Sequence, residues 1–184
     1  MSSPTLVIRP ALSSDLPLIP QIEYQAGQIF RVVDMDAIAD DAPPTIDSLA
    51  HYASTGRLWV AVSCSDSAAP IAYLTADLLA SDGLAQVAQV TVLPEHARRG
   101  IGASLLRYLE LWAREMKLRG VSLTTFKDVP WNRPMYERLG YRTLGDEELQ
   151  QEGLRGLRGL VEEEGRNEVL KRWPRCAMVK MFTG

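Results

Sequence analysis

The chain has 184 residues, 46% of them hydrophobic and 23% charged, with a formal net charge of −3 at pH 7. That length suits one domain with a sizeable core, and the mild negative charge gives no general reason to expect nucleic-acid binding. No apolar run approaches the roughly 20 residues that span a bilayer, and the start MSSPTLVIRP lacks the basic and long apolar regions of a secretory signal. Two cysteines, Cys64 and Cys176, make neither a disulfide framework nor a metal set, so a reducing, cytoplasmic setting without a bound metal is expected.

Thr5 to Ile8 is apolar and β-branched, a short first strand. Ser13-Ser14-Asp15 offers helix caps, and Leu16, Ile19, Ile22, Ala26, Ile29 and Phe30 follow at helical spacing, with Pro17 early enough to be tolerated. Glu23 falls on or beside that apolar stripe. Residues 31–44 read as an acidic loop carrying Asp34, Asp36, Asp40 and Asp41. Thr45 opens a short helix through Ser54 that bears a surface His51 and is closed by Gly56. Leu58 to Val62 is a strand, Ser63 to Pro70 a polar turn, and Ile71 to Leu79 the hairpin partner, so the first half is an antiparallel meander.

After the Ser81-Asp82-Gly83 turn, an apolar run from Val87 to Leu93 is stopped by Pro94. A helix over 103–119 follows, with Leu105, Leu106, Leu109, Trp112, Ala113 and Met116 on its apolar face. Its other face carries the i,i+4 pairs Glu110–Arg114 and Glu115–Arg119, and Gly120 is its expected stop. Val121 to Phe126 completes a βαβ unit, so the strands on either side of the helix should be parallel. Asn132 is an N-cap with Pro134 in the first turn, Gly140 closes that helix, and Tyr141 to Leu144 starts another strand. The stretch 146–172 repeats Leu-Arg-Gly and reads as irregular or weakly helical, because each glycine weakens a helix by about 1 kcal/mol. Arg175 to Phe182 is the last strand.

Between the strand ending at Leu93 and the following helix lies PEHARRGIGA, a short basic loop with two glycines. Strand, glycine turn and helix N-terminus together build an anion site: the first helix N–H groups have no internal acceptor, and the dipole is positive there. Arg98 and Arg99 add charge and forked donors. A P-loop lysine is missing, and Leu105 stands where a dinucleotide fingerprint needs its third glycine.

The pattern Ala97-Arg98-Arg99-Gly100-Ile101-Gly102 resembles the acyl-CoA-binding motif of the GNAT superfamily of N-acetyltransferases, written Arg/Gln-x-x-Gly-x-Gly/Ala. Ala97 departs from its first position. Asn132, Tyr136 and Leu139-Gly140-Tyr141 match the later part of the same superfamily, and the likeness is strongest over 86–144. The resemblance implies a single N-acetyltransferase domain over 1–184, with 146–184 a variable C-terminal part. The implied fold is α/β (α+β), a mixed and mostly antiparallel sheet flanked by helices, with one parallel βαβ unit at the cofactor site.

The implied activity is transfer of the acetyl group of acetyl-CoA to an amine, by a monomer or homodimer without nucleic-acid or membrane partners. By that resemblance Arg98, Arg99, Gly100, Ile101, Gly102 and Ala103 receive the pyrophosphate. Backbone groups of Val90, Thr91 and Val92 receive the pantetheine arm and the thioester oxygen, and Asn132 hydrogen-bonds the arm or caps its helix. Tyr136 is the general acid for the thiolate; packing of Trp131 on Tyr136 as a hydrophobic staple is the alternative. The strand positions that carry a base in some relatives are Gln86 and Ala88, neither of them a base, so a water chain, backbone carbonyls or Glu23 takes that role, unless the acceptor amine has a lower pKa. Phe126 and Trp131 are walls of the acceptor pocket or core. A non-catalytic acyl-CoA-binding or sensor module is the rival reading, and a nucleotide binder of another class is a third.

Overall fold

The computed structural model describes residues 6–63 and 67–183; Thr5 and Cys64 lie outside them. Seven strands form one mixed sheet in the order β1-β2-β3-β4-β5-β7-β6. They are β1 (Leu6–Pro10), β2 (Leu58–Ser63), β3 (Ser67–Leu79), β4 (Leu84–Val92), β5 (Gly120–Phe126), β6 (Arg142–Thr143) and β7 (Arg175–Met181). The helices are α1 (Ile19–Gly27), α2 (Asp36–Ala39), α3 (Ile46–Ser54), α4 (Ile101–Glu115), α5 (Arg133–Arg138), α6 (Asp146–Leu149) and α7 (Arg155–Arg166). The expected meander and parallel unit are both present: β1–β2 and β2–β3 are antiparallel, and β4–β5 is parallel with Leu84 opposite Gly120 and Val87 opposite Leu123. β3 begins at Ser67, inside the stretch read as a turn. Backbone contacts divide the chain into two compact units, residues 1–76 with 88–108 and residues 77–87 with 109–184.

The first unit is built on an apolar cluster of Leu16, Ile19, Ile22, Leu49, Leu58, Val60, Val62 and Tyr73. Thr45 caps α3 as expected, its side chain accepting from the Ser48 N–H. Asp15 sits at an N-cap but makes no side-chain cap. Its carboxylate instead accepts from the Arg9 guanidinium at 2.6 and 3.1 Å and from the Leu12 N–H at 2.7 Å, pinning the chain between β1 and α1. A charged partner across the turn outcompetes the short local bond. The acidic loop is partly neutralised from within, because Arg31 bonds Asp36 at 2.8 Å and also Asp40.

The second unit has its own apolar cluster: Leu84, Leu144, Leu149, Leu154, Leu157, Ala177 and Val179. Residues 146–172, expected to be irregular, supply much of it. α7 forms despite three glycines because its first turn is capped from elsewhere in the chain. The buried Asp82 carboxylate accepts from Gly156 N–H at 2.8 Å and Leu157 N–H at 2.7 Å. A Cβ on Gly156 would lie 3.1 Å from Asp82 Oδ2 and from Ser81 Oγ, so the glycine is what admits the cap. Arg119 ties the same corner, donating to the carbonyls of Asp82 and Gly153, both at 2.8 Å.

The far end of α4 corrects three expectations. Lys117, at φ 58°, ends the helix, and Gly120 is already in β5, where a Cβ would stand 2.4 Å from the Lys180 carbonyl oxygen. The helical ion pairs do not form: Glu110 is buried against Lys180 at 2.7 Å, and Arg114 lies 4.0 Å over the Phe182 ring. Met116 is 54% exposed, because the helix ends before its turn can reach the core.

Two outcomes are expected in denaturant. Burial opposes ionisation of Asp15, but the Arg9 and Leu12 hydrogen bonds outweigh it and hold the carboxyl below its ordinary value. Its stabilisation is therefore complete above the unfolded pKa of about 3.9 and is lost as pH falls through the lower folded value. Asp15→Asn should cost about 2–3 kcal/mol at pH 7, with the gap to wild type closing below about pH 4. Gly156→Ala should destabilise by about 1–2 kcal/mol through the displaced cap, whereas Gly159→Ala, whose Cβ meets nothing within 4 Å, should stabilise by up to about 1 kcal/mol.

Candidate active site

β4 is the strand from which the site is built. Its parallel ladder stops at Val87 opposite Leu123, yet the strand runs on to Val92. On its other side Leu93 N–H donates to the Ile71 carbonyl at 2.9 Å. Main-chain groups of a strand alternate sides, so those of Gln89 and Thr91 point toward β3 with Leu93, and those of Val90 and Val92 point the other way. Among the described residues no ladder pairs Val90 or Val92 on that side.

The chain then passes through a 3-10 turn, Pro94–His96, into the basic loop. Arg98 at φ 60° and Gly100 at φ 78° are both left-handed, and this double reversal brings the chain into α4 at Ile101, two residues earlier than the sequence suggested. The first intrahelical bond of that turn runs from Ser104 N–H to the Gly100 carbonyl at 3.0 Å. Helix geometry therefore leaves the N–H groups of Ile101, Gly102 and Ala103 without intrahelical acceptors. Arg98, Arg99 and Gly100 are exposed, Ile101 is buried, and Gly102 and Ala103 are half-buried. The two glycines differ in kind. Gly100 needs its positive φ, whereas a Cβ on Gly102 would only touch Val92 Cγ2 at an ordinary 3.7 Å.

Glu23 comes from α1 to the face of β4. Its Oε2 accepts from Tyr73 OH and Thr91 Oγ1, each at 2.7 Å, and its Oε1 accepts from Gln89 Nε2 at 2.5 Å. Gln89 also donates to Thr91 Oγ1 at 3.0 Å. Three donors thus hold a half-buried carboxylate whose two oxygens offer about four acceptor sites. Tyr73 and the side chain of Gln89 were not legible as site residues; a tyrosine inside an apolar strand is the only signal. Gln86 is buried and accepts from Ser122 Oγ at 2.7 Å, while Ala88 is exposed.

In the second unit, Tyr136 is 9% exposed, with its ring edge-on to Tyr141 at 6.1 Å. Burial pushes its phenol up to about 12 against the opposing positive charge of Arg175. Asn132 holds the N-cap position of α5 but makes no side-chain cap bond, so the capping expected of it is not formed. Its ψ of −82° departs from the extended geometry a capping side chain requires. Phe126 is 6% exposed and packs as core, with Arg175 at 4.6 Å over its ring and Trp173 edge-on at 6.3 Å. Arg175 is itself clamped by Glu164 at 2.9 Å through both carboxylate oxygens and by Thr124 at 3.0 Å. Among the described residues no three His, Cys, Asp or Glu side chains group as a metal site would require, and no helix is long and apolar enough to cross a membrane.

Comparison with known proteins places the fold. The fold resembles Rv2747 of Mycobacterium tuberculosis in complex with CoA and NLQ, at TM-score 0.69 and 20% identity over 96% of this chain and 99% of that one. It also resembles the PaiA N-acetyltransferase of Thermoplasma acidophilum in complex with coenzyme A, at TM-score 0.68 and 12% identity over 97% and 99%. The ribosomal-protein-S18-alanine N-acetyltransferase of Escherichia coli follows at TM-score 0.64 and 14% identity over 98% and 97%. At these identities the likeness is one of fold. A model of the acetyltransferase (GNAT) family matches residues 28–141, more than half of the chain, over the β4 edge, the glycine turn and the Asn132–Tyr141 stretch alike. The chain belongs to the acetyltransferase (GNAT) family.

Proposed function

We propose that residues 1–184 act as one N-acetyltransferase domain, in a cytoplasmic setting, that moves the acetyl group of acetyl-CoA directly to an amine. One observation carries this reading: the unpaired edge of β4 runs straight into a left-handed glycine turn and a helix N-terminus with free donors. An extended arm ending in a pyrophosphate fits that sequence of donors, because the arm can pair like an added strand and the anion meets the helix. Val90 and Val92 offer the free main-chain groups, and one of their N–H groups serves the thioester oxygen. Thr91 contributes through its side chain to Glu23. Arg98, Arg99 and the turn from Gly100 to Ala103 take the pyrophosphate, and Asn132, free of a capping duty, is available to the arm.

In the reaction the amine nitrogen attacks the thioester carbonyl carbon, the C–S bond breaks, and the products are an N-acetyl amide and free CoA thiol. An alkylammonium of pKa ~10.4 must first lose a proton, and we assign its acceptance to Glu23, whose carboxylate is held on the face of β4. Tyr136 stabilises the departing thiolate. With its phenol at about 12, full transfer to a thiolate of pKa ~8.5 is uphill, so it acts chiefly as a hydrogen-bond donor. A non-catalytic acyl-CoA sensor is favoured by the missing strand base, since Gln86, engaged by Ser122, and Ala88 stand at the base positions and neither can accept the proton.

Calorimetric titration with acetyl-CoA, followed by thiol release against a panel of amines, separates the two: binding with amine-dependent release supports the enzyme, and binding without release supports the sensor. Gly102→Glu should weaken acetyl-CoA binding about tenfold or more, because the new carboxylate stands where the anion approaches and repels it, whereas Gly102→Ala, whose methyl meets only Val92 Cγ2 at 3.7 Å, should bind near wild type. Tyr136→Phe should lower kcat about a hundredfold with little change in the acetyl-CoA KM. The wild-type rate should show no fall from phenol ionisation below about pH 10, since the group titrates near 12.

A further inference from the structure

Tyr73 lies at the middle of β3, 1% exposed, in the apolar cluster with Leu16, Ile19, Ile22 and Val60. A phenylalanine would fill that volume equally well. A buried hydroxyl costs free energy unless it is hydrogen-bonded, and the bond found for this one is to Glu23 Oε2 at 2.7 Å. The carboxylate is gripped from β4 as well, by Thr91 on the same oxygen and by Gln89 on the other. Gln89 and Thr91 lie on either side of Val90 in sequence, so the grip sets Glu23 over the part of β4 whose main chain is unpaired.

We propose that Tyr73 is a positioning residue for acetyl transfer, which, together with Gln89 and Thr91, fixes the Glu23 carboxylate in one orientation on the face of β4 and leaves one lone pair of Oε1 for the incoming primary ammonium. This rests on the reading of Glu23 as the proton acceptor. The three donors occupy both lone pairs of Oε2 and one of Oε1, so the remaining acceptor site has a defined direction. Holding a glutamate side chain still before substrate arrives removes a rotamer cost from the reactive complex. Tyr73 does not relay the proton: burial, then the Glu23 charge, push its phenol far above the ordinary tyrosine value, and it stays a fixed donor. Among the described residues the hydrogen bonds to the Glu23 carboxylate come from Tyr73 of β3 and from Gln89 and Thr91 of β4.

The test is a double-mutant cycle on the full chain, reading thiol release from acetyl-CoA with ethylamine as the acceptor, beside a crystal structure of Tyr73→Phe. Tyr73→Phe should lower kcat/KM for ethylamine about tenfold or more and leave the acetyl-CoA KM and the melting temperature near wild type. In the Glu23→Gln background the same change should have no further effect on the rate. In the crystal, the Glu23 side chain should leave its single orientation. Unchanged kcat/KM in Tyr73→Phe, or a Tyr73 effect that persists undiminished beside Glu23→Gln, overturns the positioning role while leaving Glu23 as base. Unchanged turnover in Glu23→Gln, or a rate too low to measure in the wild type with ethylamine while Glu23 keeps its place in the Tyr73→Phe crystal, overturns both.

Discussion

A strand that loses its partner partway along must still satisfy its main chain, and β4 is such a strand. Its parallel ladder ends at Val87, and the next five residues keep an extended conformation with no ladder on that side among the described residues. Bare N–H and C=O groups are costly inside protein and useful at a surface, where they pair with any extended ligand. The glycine turn at Gly100 matters because it follows that edge directly. The chain reverses through two left-handed residues and presents a helix N-terminus at the end of the unpaired segment. The proposed acyl-CoA reading rests on the succession of the two, since either alone occurs in an ordinary strand–turn–helix junction.

The second unit shows how much a weak local sequence owes to distant partners. α7 carries Gly156, Gly159 and Gly165, and its intrinsic preference for helix is poor. It forms because Asp82, some seventy residues earlier, satisfies two N–H groups of its first turn, and because Leu157 is fully buried in the cluster with Leu84 and Val179. At its far end Glu164 clamps Arg175, which stacks on Phe126 and lends positive charge toward Tyr136. The C-terminal stretch therefore belongs to the support of the tyrosine stretch rather than standing apart from it. Gly120 makes the same point in a strand, where its missing Cβ lets the β7 main chain approach.

Much of the architecture was legible because it rests on short-range rules. Apolar alternation, the Thr45 cap and the strand–helix–strand order of the βαβ unit each depend on residues close in sequence, and each formed as expected. The failures share a cause. Glu110 and Arg114 satisfy the spacing of a helical ion pair, but Lys180 and Phe182 arrive from the last strand and take both. Asp15 has the composition of a cap, but Arg9 offers two charge-assisted bonds. In each case a partner from outside the helix, of opposite charge or an aromatic face, outweighs a helical interaction that is worth only a few tenths of a kcal/mol to about 1 kcal/mol.

The sequence by itself determined the family and the strand–glycine turn–helix order around Gly100, because motifs fix residue types at short spacings along the chain. Tertiary structure decided which groups are free to act. It turned the main chain of Val90 and Val92 outward, released Asn132 from its cap, buried Gln86 against Ser122, and brought Tyr73, Gln89 and Thr91 onto Glu23. Those decisions depend on strand pairing and on contacts between residues 36 to 68 positions apart, whose free energies appear only when the sheet has closed.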